Sequence, residues 1–136
     1  FECFHGAAGF GYFLAKTDIL VVLLPLTKDT RHIVGCDALY RLPRGAKIVN
    51  CGRGGTVDEA ALLAALNEGQ ISEATLDVFE QEPLLAGNPL SSLSNVILSP
   101  HLAGSTRDAL AMKMKAIFEN YRRFYAGEPL NNEVPL

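Results

Sequence analysis

Nowhere is this 136-residue chain basic enough to grip a polyanion. Twelve lysines and arginines against fifteen aspartates and glutamates leave a net charge of -3. That balance excludes a nucleic-acid footprint and a cationic run for an anionic membrane surface. Long hydrophobic runs are missing as well. The longest, over 19–26, falls well short of the roughly 20 residues a membrane span requires, and no charged-then-apolar leader opens the sequence. Cysteine is scarce: Cys3, Cys36 and Cys51 are widely spaced and form no C-x-x-C. This argues against a disulfide framework or a zinc site and for reduced thiols in a cytoplasmic protein; no metal is expected. There is no internal repeat and no low-complexity segment. A phosphate-binding G-x-G-x-x-G is lacking too, since Gly6-Ala7-Ala8-Gly9-Phe10-Gly11 has the wrong spacing and no buried strand before it.

What is present is a 49% hydrophobic composition, enough for one core, arranged as strands alternating with helices. The clearest unit spans 47–69. Lys47-Ile48-Val49-Asn50 is a short apolar strand, Cys51-Gly52-Arg53-Gly54-Gly55 a glycine-rich turn, and 58–68 has the spacing of a helix. Thr56 followed by Glu59 predicts a capping box at its start, and Gly69 a left-handed stop at its end. Before this unit, Phe10, Phe13 and Leu14 predict a short helix ending near Thr17. The β-branched run over 18–24 predicts a strand covered on both faces, ended by Pro25. A crossover with a helix over 36–42 leads into the unit. After it come a strand over 74–79, a long loop over 80–94, and a last strand over 96–99. Ser105 with Asp108 predicts the cap of a final helix reaching Ala126. Its stripe of Leu110, Met114, Ile117, Phe118, Tyr121, Phe124 and Tyr125 is expected to face a core. The class is α/β with a mainly parallel sheet.

In open parallel sheets, ligands sit outside the carboxyl ends of the strands. Those ends carry Pro25-Leu26-Thr27, then Gly52-Arg53-Gly54-Gly55, then Asp77 with Glu80 and Glu82, then His101 with Gly104-Ser105. Each alone reads as ordinary structure: Arg53 as a solvated loop charge, Glu82 as a turn acid before Pro83, His101 as a strand-end histidine. Together they place arginine, carboxylate and histidine on one edge. A weaker reading takes Gly52-Arg53-Gly54-Gly55 as a phosphate site, but it lacks the Lys and Ser/Thr of a P-loop.

Three blocks go further. Asn50-Cys51-Gly52-Arg53-Gly54-Gly55-Thr56-Val57-Asp58-Glu59-Ala60-Ala61-Leu62, Leu76-Asp77-Val78-Phe79-Glu80-Gln81-Glu82-Pro83 and Ser99-Pro100-His101-Leu102-Ala103-Gly104 closely resemble the D-isomer-specific 2-hydroxyacid dehydrogenase family, in the family's order and spacing. The Leu23-Leu24-Pro25-Leu26-Thr27 turn and the opening segment resemble its glyoxylate/hydroxypyruvate reductase branch most. The resemblance implies part of a doubly wound, Rossmann-like parallel sheet and reduction of a small 2-oxo acid by NADP or NAD, with NADPH favoured. It implies that Arg53 holds the substrate carboxylate and that His101 is the acid and base. Glu82 pairs with His101 and should favour its imidazolium, with Glu80 a competing candidate. For the cofactor it implies Pro25, Leu26, Thr27, Cys51, Gly52, Arg53, Asp77, His101 and Gly104.

The family's phosphate loop and first two strands are not found here. The chain is therefore expected to be part of a longer polypeptide: 1–104 the later part of the nucleotide domain, 105–126 a connecting helix, 127–136 a tail. The two strands are expected to belong between the strand ending at Leu24 and the one starting near Lys47. At full length a homodimer is expected, with a small 2-oxo or 2-hydroxy acid as partner and neither nucleic acid nor membrane. The alternative is a dinucleotide-sensing or interaction module, like the family's corepressor branch; the complete Arg53, Glu82 and His101 set argues against it.

Overall fold

A computed structural model describes residues 2–133. Phe1 of the opening segment and the last three residues of the predicted tail lie outside the described residues. The chain divides into two compact units, Phe1–His101 and Leu102–Leu136.

The first unit runs α1 (Gly6–Ala15), β1 (Ile19–Val22), α2 (Cys36–Arg41), β2 (Ala46–Asn50), a 3-10 turn (Gly54–Thr56), α3 (Glu59–Asn67), β3 (Ile71–Leu76), a second 3-10 turn (Pro89–Ser92) and β4 (Val96–Leu98). All strand pairs are parallel and the sheet order is β1-β2-β3-β4. Steps in one direction with right-handed crossovers put the connecting helices on one face, and α2 packs against both α1 and α3. Leu20, Val22, Ile48, Ile71 and Leu76 of the sheet bury against Leu14, Leu39, Leu62 and Leu66 of the helices. Each such side chain contributes about 1.5–3 kcal/mol by leaving water. The glycine-rich stretch 6–11 lies within α1, so its spacing serves a helix and not a phosphate loop.

Four expectations are corrected by this fold. The strand over 18–24 is not covered on both faces: β1 alternates exposed and buried, with Ile19 and Val21 more than half exposed. Nor is the middle of the sheet missing. β1 and β2 are hydrogen-bonded neighbours, Ile19 opposite Lys47 through Val22 opposite Asn50, with Lys47 N–H donated to Asp18 at 2.8 Å. Because β1 and β3 occupy both edges of β2, further strands have only the outer edges of β1 and β4 to join.

The helix caps are the third correction. Thr56 is not the cap of α3; it ends the 3-10 turn, and its hydroxyl donates to the Arg53 carbonyl at 2.6 Å. The cap is Asp58, whose carboxylate accepts the Ala61 N–H at 3.0 Å and contributes roughly 1 kcal/mol. Gly69 does supply the left-handed stop, at φ +67.

The second unit is dominated by α4 (Arg107–Ala126), stopped by Gly127 in the left-handed conformation. Thr106, not Ser105, is its cap and accepts the Ala109 N–H at 3.2 Å. The expected core-facing stripe is not buried: no residue of α4 is, and Leu110, Phe118, Phe124 and Tyr125 are all well exposed. Arg122 of this helix bridges Glu119, one turn before it, and Glu128, just past the helix end, at 3.0 and 2.8 Å.

Candidate active site

The turn after β2 is held at its backbone and open at its side chain. Asn50, fully buried at the strand end, accepts the Gly52 N–H through Oδ1 at 3.1 Å and donates Nδ2 to the Arg53 carbonyl at 3.3 Å. The same carbonyl accepts the Thr56 N–H at 3.1 Å and the Thr56 hydroxyl. Three donors on one oxygen lock the backbone of Arg53, whose side chain is exposed and donates Nη1 to the Gly52 carbonyl at 2.7 Å. Its fork is thus carried on a fixed base.

Gly52 and Gly54 are required by close approach. A Cβ on Gly52 would lie 2.7 Å from the Leu24 carbonyl oxygen, and one on Gly54 only 1.9 Å from the Phe79 carbonyl carbon and oxygen. Through Gly52 the turn abuts the end of β1, where Pro25, Leu26 and Thr27 form an exposed loop. There Thr30 donates its hydroxyl to the Pro25 carbonyl at 2.6 Å and accepts the Thr27 N–H at 2.7 Å. Through Gly54 it abuts the loop after β3. Cys51, a half-buried free thiol, donates its N–H to Val22 at 3.1 Å.

Asp77 joins the strand ends. Its N–H goes to Asn50 at 3.0 Å, and its carbonyl accepts the His101 N–H at 2.8 Å. Its buried carboxylate accepts the Ser99 hydroxyl. β3 ends at Leu76, three residues earlier than the predicted strand, so Asp77 stands just past the sheet edge. His101 adopts φ +54, a left-handed backbone that a non-glycine residue holds at a cost of about 1–3 kcal/mol and that clusters at functional sites.

Glu82 and His101 face each other, with Glu82 Oε2 2.8 Å from His101 Nδ1. The other carboxylate oxygen accepts the Phe79 N–H at 3.0 Å. The hydrogen bond from His101 and then that from Phe79 hold the Glu82 carboxyl below the usual carboxylate range; the charges of His101 and Arg53 act the same way and partial burial opposes them. An ionised carboxylate only accepts, so Nδ1 carries a proton and Nε2 is the ring nitrogen left to a substrate. Beside the pair lies a mostly apolar cavity of about 300 Å³, lined by Phe79, Pro83, Leu84, Leu98 and Pro100.

Of the predicted site residues, Arg53, Asp77, Glu82 and His101 therefore gather on one edge, with Pro25, Leu26, Thr27, Cys51 and Gly52 along it. Gly104 belongs to the second unit, in an exposed turn where Ser105 N–H returns to Leu102 at 2.8 Å. Glu80 does not share His101. Sequence reasoning missed Asn50 as the brace of the Arg53 turn; its signal was an amide at the end of an apolar strand, directly before a glycine-rich turn. It also missed Ser99. Among the described residues no three His, Cys, Asp or Glu side chains group to hold a metal, and no helix is long and apolar enough to cross a membrane.

An implied dinucleotide fits part of this edge. The Leu24–Gly52 apposition, the apolar Leu26 and the buried carboxylate acceptor Asp77 suit its nicotinamide end, whereas among the described residues no glycine loop opens toward a pyrophosphate.

Residues 4–103 match the sequence family described as D-isomer specific 2-hydroxyacid dehydrogenase, NAD binding domain. Glyoxylate reductase of Aeropyrum pernix is 47% identical over 122 residues, 89% of this chain and 36% of that protein. Glyoxylate/hydroxypyruvate reductase B of Salmonella newport is 44% identical over 107 residues, 79% of this chain and 33% of that protein. The chain thus spans about a third of the length of these curated relatives. A D-isomer specific 2-hydroxyacid dehydrogenase of Xanthobacter autotrophicus Py2, solved in complex with NADPH and MES, superposes with a TM-score of 0.91 at 51% identity, covering 98% of this chain and 55% of that one. An NADPH-dependent glyoxylate/hydroxypyruvate reductase of Sinorhizobium meliloti, solved with NADP and sulfate, gives 0.86 at 37% identity, covering 96% and 42%. The family match over 4–103 and the likeness of fold agree, and this chain belongs to the D-isomer specific 2-hydroxyacid dehydrogenase family, with residues 4–103 in its NAD-binding domain.

Proposed function

We propose that this chain supplies the acid–base and carboxylate-binding groups of an NAD(P)-dependent reductase, with NADPH favoured. Its substrate would be a small 2-oxo acid of the glyoxylate or hydroxypyruvate type, reduced to glycolate or the D-2-hydroxy acid. The observation that carries this reading is the Glu82–His101 pair at 2.8 Å, on the edge that also bears Arg53 and Asp77. The names of the relatives and the NADPH and NADP bound in the related structures support it.

In this reading Arg53 offers parallel N–H groups to the substrate carboxylate, and its triply held carbonyl keeps the fork from drifting. His101 gives a proton from Nε2 to the 2-oxo oxygen and takes it back in the reverse direction. Glu82 fixes the ring through Nδ1. Asp77 accepts the carboxamide N–H of the nicotinamide, which when bound would supply the hydride.

The test is loss of reduced-cofactor absorbance in a polypeptide of full family length containing residues 1–136, with NADPH or NADH against glyoxylate, hydroxypyruvate and pyruvate. Turnover is expected with NADPH and one of the first two. Dinucleotide binding without turnover of any pair would replace this reading with a sensing module. Residues 1–136 alone are expected to bind dinucleotide weakly or not at all, since no pyrophosphate site is found among the described residues. Tight NADPH binding in a calorimetric titration of the 136-residue chain would overturn that.

A further inference from the structure

Glu80 stands two residues before Glu82, yet its carboxylate is committed elsewhere. Glu80 Oε1 accepts the N–H of Glu59 at 3.1 Å, and Glu59 Oε1 accepts the N–H of Glu80 at 2.6 Å. This reciprocal exchange ties the first turn of α3 to the loop after β3. His32 Nε2 lies 3.0 Å from the same Glu80 oxygen, without hydrogen-bond alignment. His32 is itself fixed, with φ +52 and its N–H donated to Gly55 at 2.8 Å. Three segments meet here: the turn of His32, the stretch from Gly54 to Glu59 that continues from Arg53, and the loop 79–82.

The consequence runs through one residue, Phe79, and the N–H that follows it. Phe79 donates its N–H to Glu82, its carbonyl lies against Gly54, and the next N–H is the one Glu59 accepts. Loss of the Glu59 carboxylate frees the Glu80 N–H, and loss of the Glu80 carboxylate frees the turn of α3 that carries Glu59; either lets the loop shift, and Phe79 N–H shifts with it. Glu82 then loses the donor that orients its carboxylate.

We propose that Glu80, with Glu59 and His32, forms a positioning cluster that locks the loop 79–82 against the Arg53 turn and so aims Glu82 at His101. It touches neither substrate nor cofactor, and it rests on the reading of Glu82 and His101 given above. Glu59, read from sequence as half of a capping box, is here an acceptor for a backbone 21 positions away.

The test follows the Glu82 carboxyl by carbon-13 NMR titration in the 136-residue chain, a readout independent of turnover. In the wild type it should titrate below the usual carboxylate range. His101→Ala, which breaks the pair, should raise its midpoint; Glu80→Ala should raise it toward the same value, and Glu80→Gln, which keeps an oxygen for Glu59 N–H, should restore most of the wild-type position. Glu73→Ala, on an exposed ion pair with Lys47, should change nothing. An unmoved midpoint in Glu80→Ala beside a raised one in His101→Ala overturns the positioning role and leaves the catalytic pair standing. An unmoved midpoint in both overturns the pair and this inference together. Should Glu80→Ala fail to fold, Glu59→Ala removes the acceptor and spares Glu80, and an unmoved midpoint there overturns the proposal equally. In the full-length polypeptide Glu80→Ala should lower kcat by about 10- to 100-fold, the range of a misaimed catalytic group, with KM within about twofold.

Discussion

His101→Ala in a polypeptide of full family length is expected to lower kcat by about a hundred- to ten-thousand-fold, the usual contribution of a positioned general acid. KM should change little, because substrate binding is assigned to Arg53, which the substitution leaves in place. Glu82→Gln tests the same pair more finely. The Phe79 N–H needs an acceptor, so the amide oxygen would occupy the place of Oε1 and the NH2 would face His101 Nδ1. Nδ1 could then only accept, and a ring protonated on both nitrogens would no longer fit. The expected loss in kcat therefore approaches that of His101→Ala although the side chain is isosteric. Steady-state kinetics on the two variants decide it; a Glu82→Gln enzyme with wild-type kcat would remove the carboxylate from the mechanism.

The same pair sets an acid limit. Glu82 has a lowered carboxyl pKa in the folded chain, chiefly through the hydrogen bond from His101. Its contribution to stability is fully present above the ordinary carboxylate value and is lost as pH falls through the lowered one. The side chain is 38% exposed, so solvent screens much of this and the contribution is small. Its effect on catalysis is larger, because protonating Glu82 replaces an acceptor with a donor at Nδ1. The wild-type pH–rate profile should hold level down to the lowered Glu82 range and then fall; in Glu82→Gln that acid limb should vanish.

Where the controlling physics was local, it was legible in the sequence. The strand, glycine turn and helix over 47–69 were signalled by residues acting on their near neighbours, and Gly69 took the left-handed conformation expected of it. The cap was misread for a tertiary reason. Thr56 and Glu59 have the spacing of a capping box, but the Arg53 carbonyl claims the Thr56 hydroxyl and Glu80 claims the Glu59 carboxylate. No window of a few residues contains that competition. The adjacency of β1 and β2 was hidden for a related reason: a crossover over 23–45 could span one strand spacing or more. The stripe on α4 shows amphipathicity by its period, but a period does not say what covers it. At the site, the sequence offered Glu80 and Glu82 as rivals, and Phe79 N–H and Gly54 decide between them by fixing the loop. The left-handed φ of His101 is likewise a property of the assembled edge, held by Asp77 and Ser99.

Gly54→Ala is expected to be the most damaging single substitution for the fold of this edge. The added Cβ would sit 1.9 Å from both the carbonyl carbon and oxygen of Phe79 and 2.5 Å from the Glu80 nitrogen. All three are backbone atoms, so no rotamer change relieves the overlap; the Arg53 turn and the loop 79–82 must separate. Overpacking a core commonly costs about 1–3 kcal/mol, and a backbone collision at this distance belongs at or beyond the top of that range. Separation also breaks the Glu80–Glu59 exchange and draws Phe79 N–H away from Glu82, so acid–base alignment should fail in whatever fraction remains folded. Gly104→Ala is the matched control: a Cβ there meets nothing within 4 Å and φ is not left-handed, so stability should stay within about 0.5 kcal/mol of wild type. Urea denaturation of the two variants, with wild type alongside, measures the difference. A Gly54→Ala midpoint equal to that of Gly104→Ala would mean that the two loops do not touch, and the positioning of Glu82 through Phe79 would then have no physical basis.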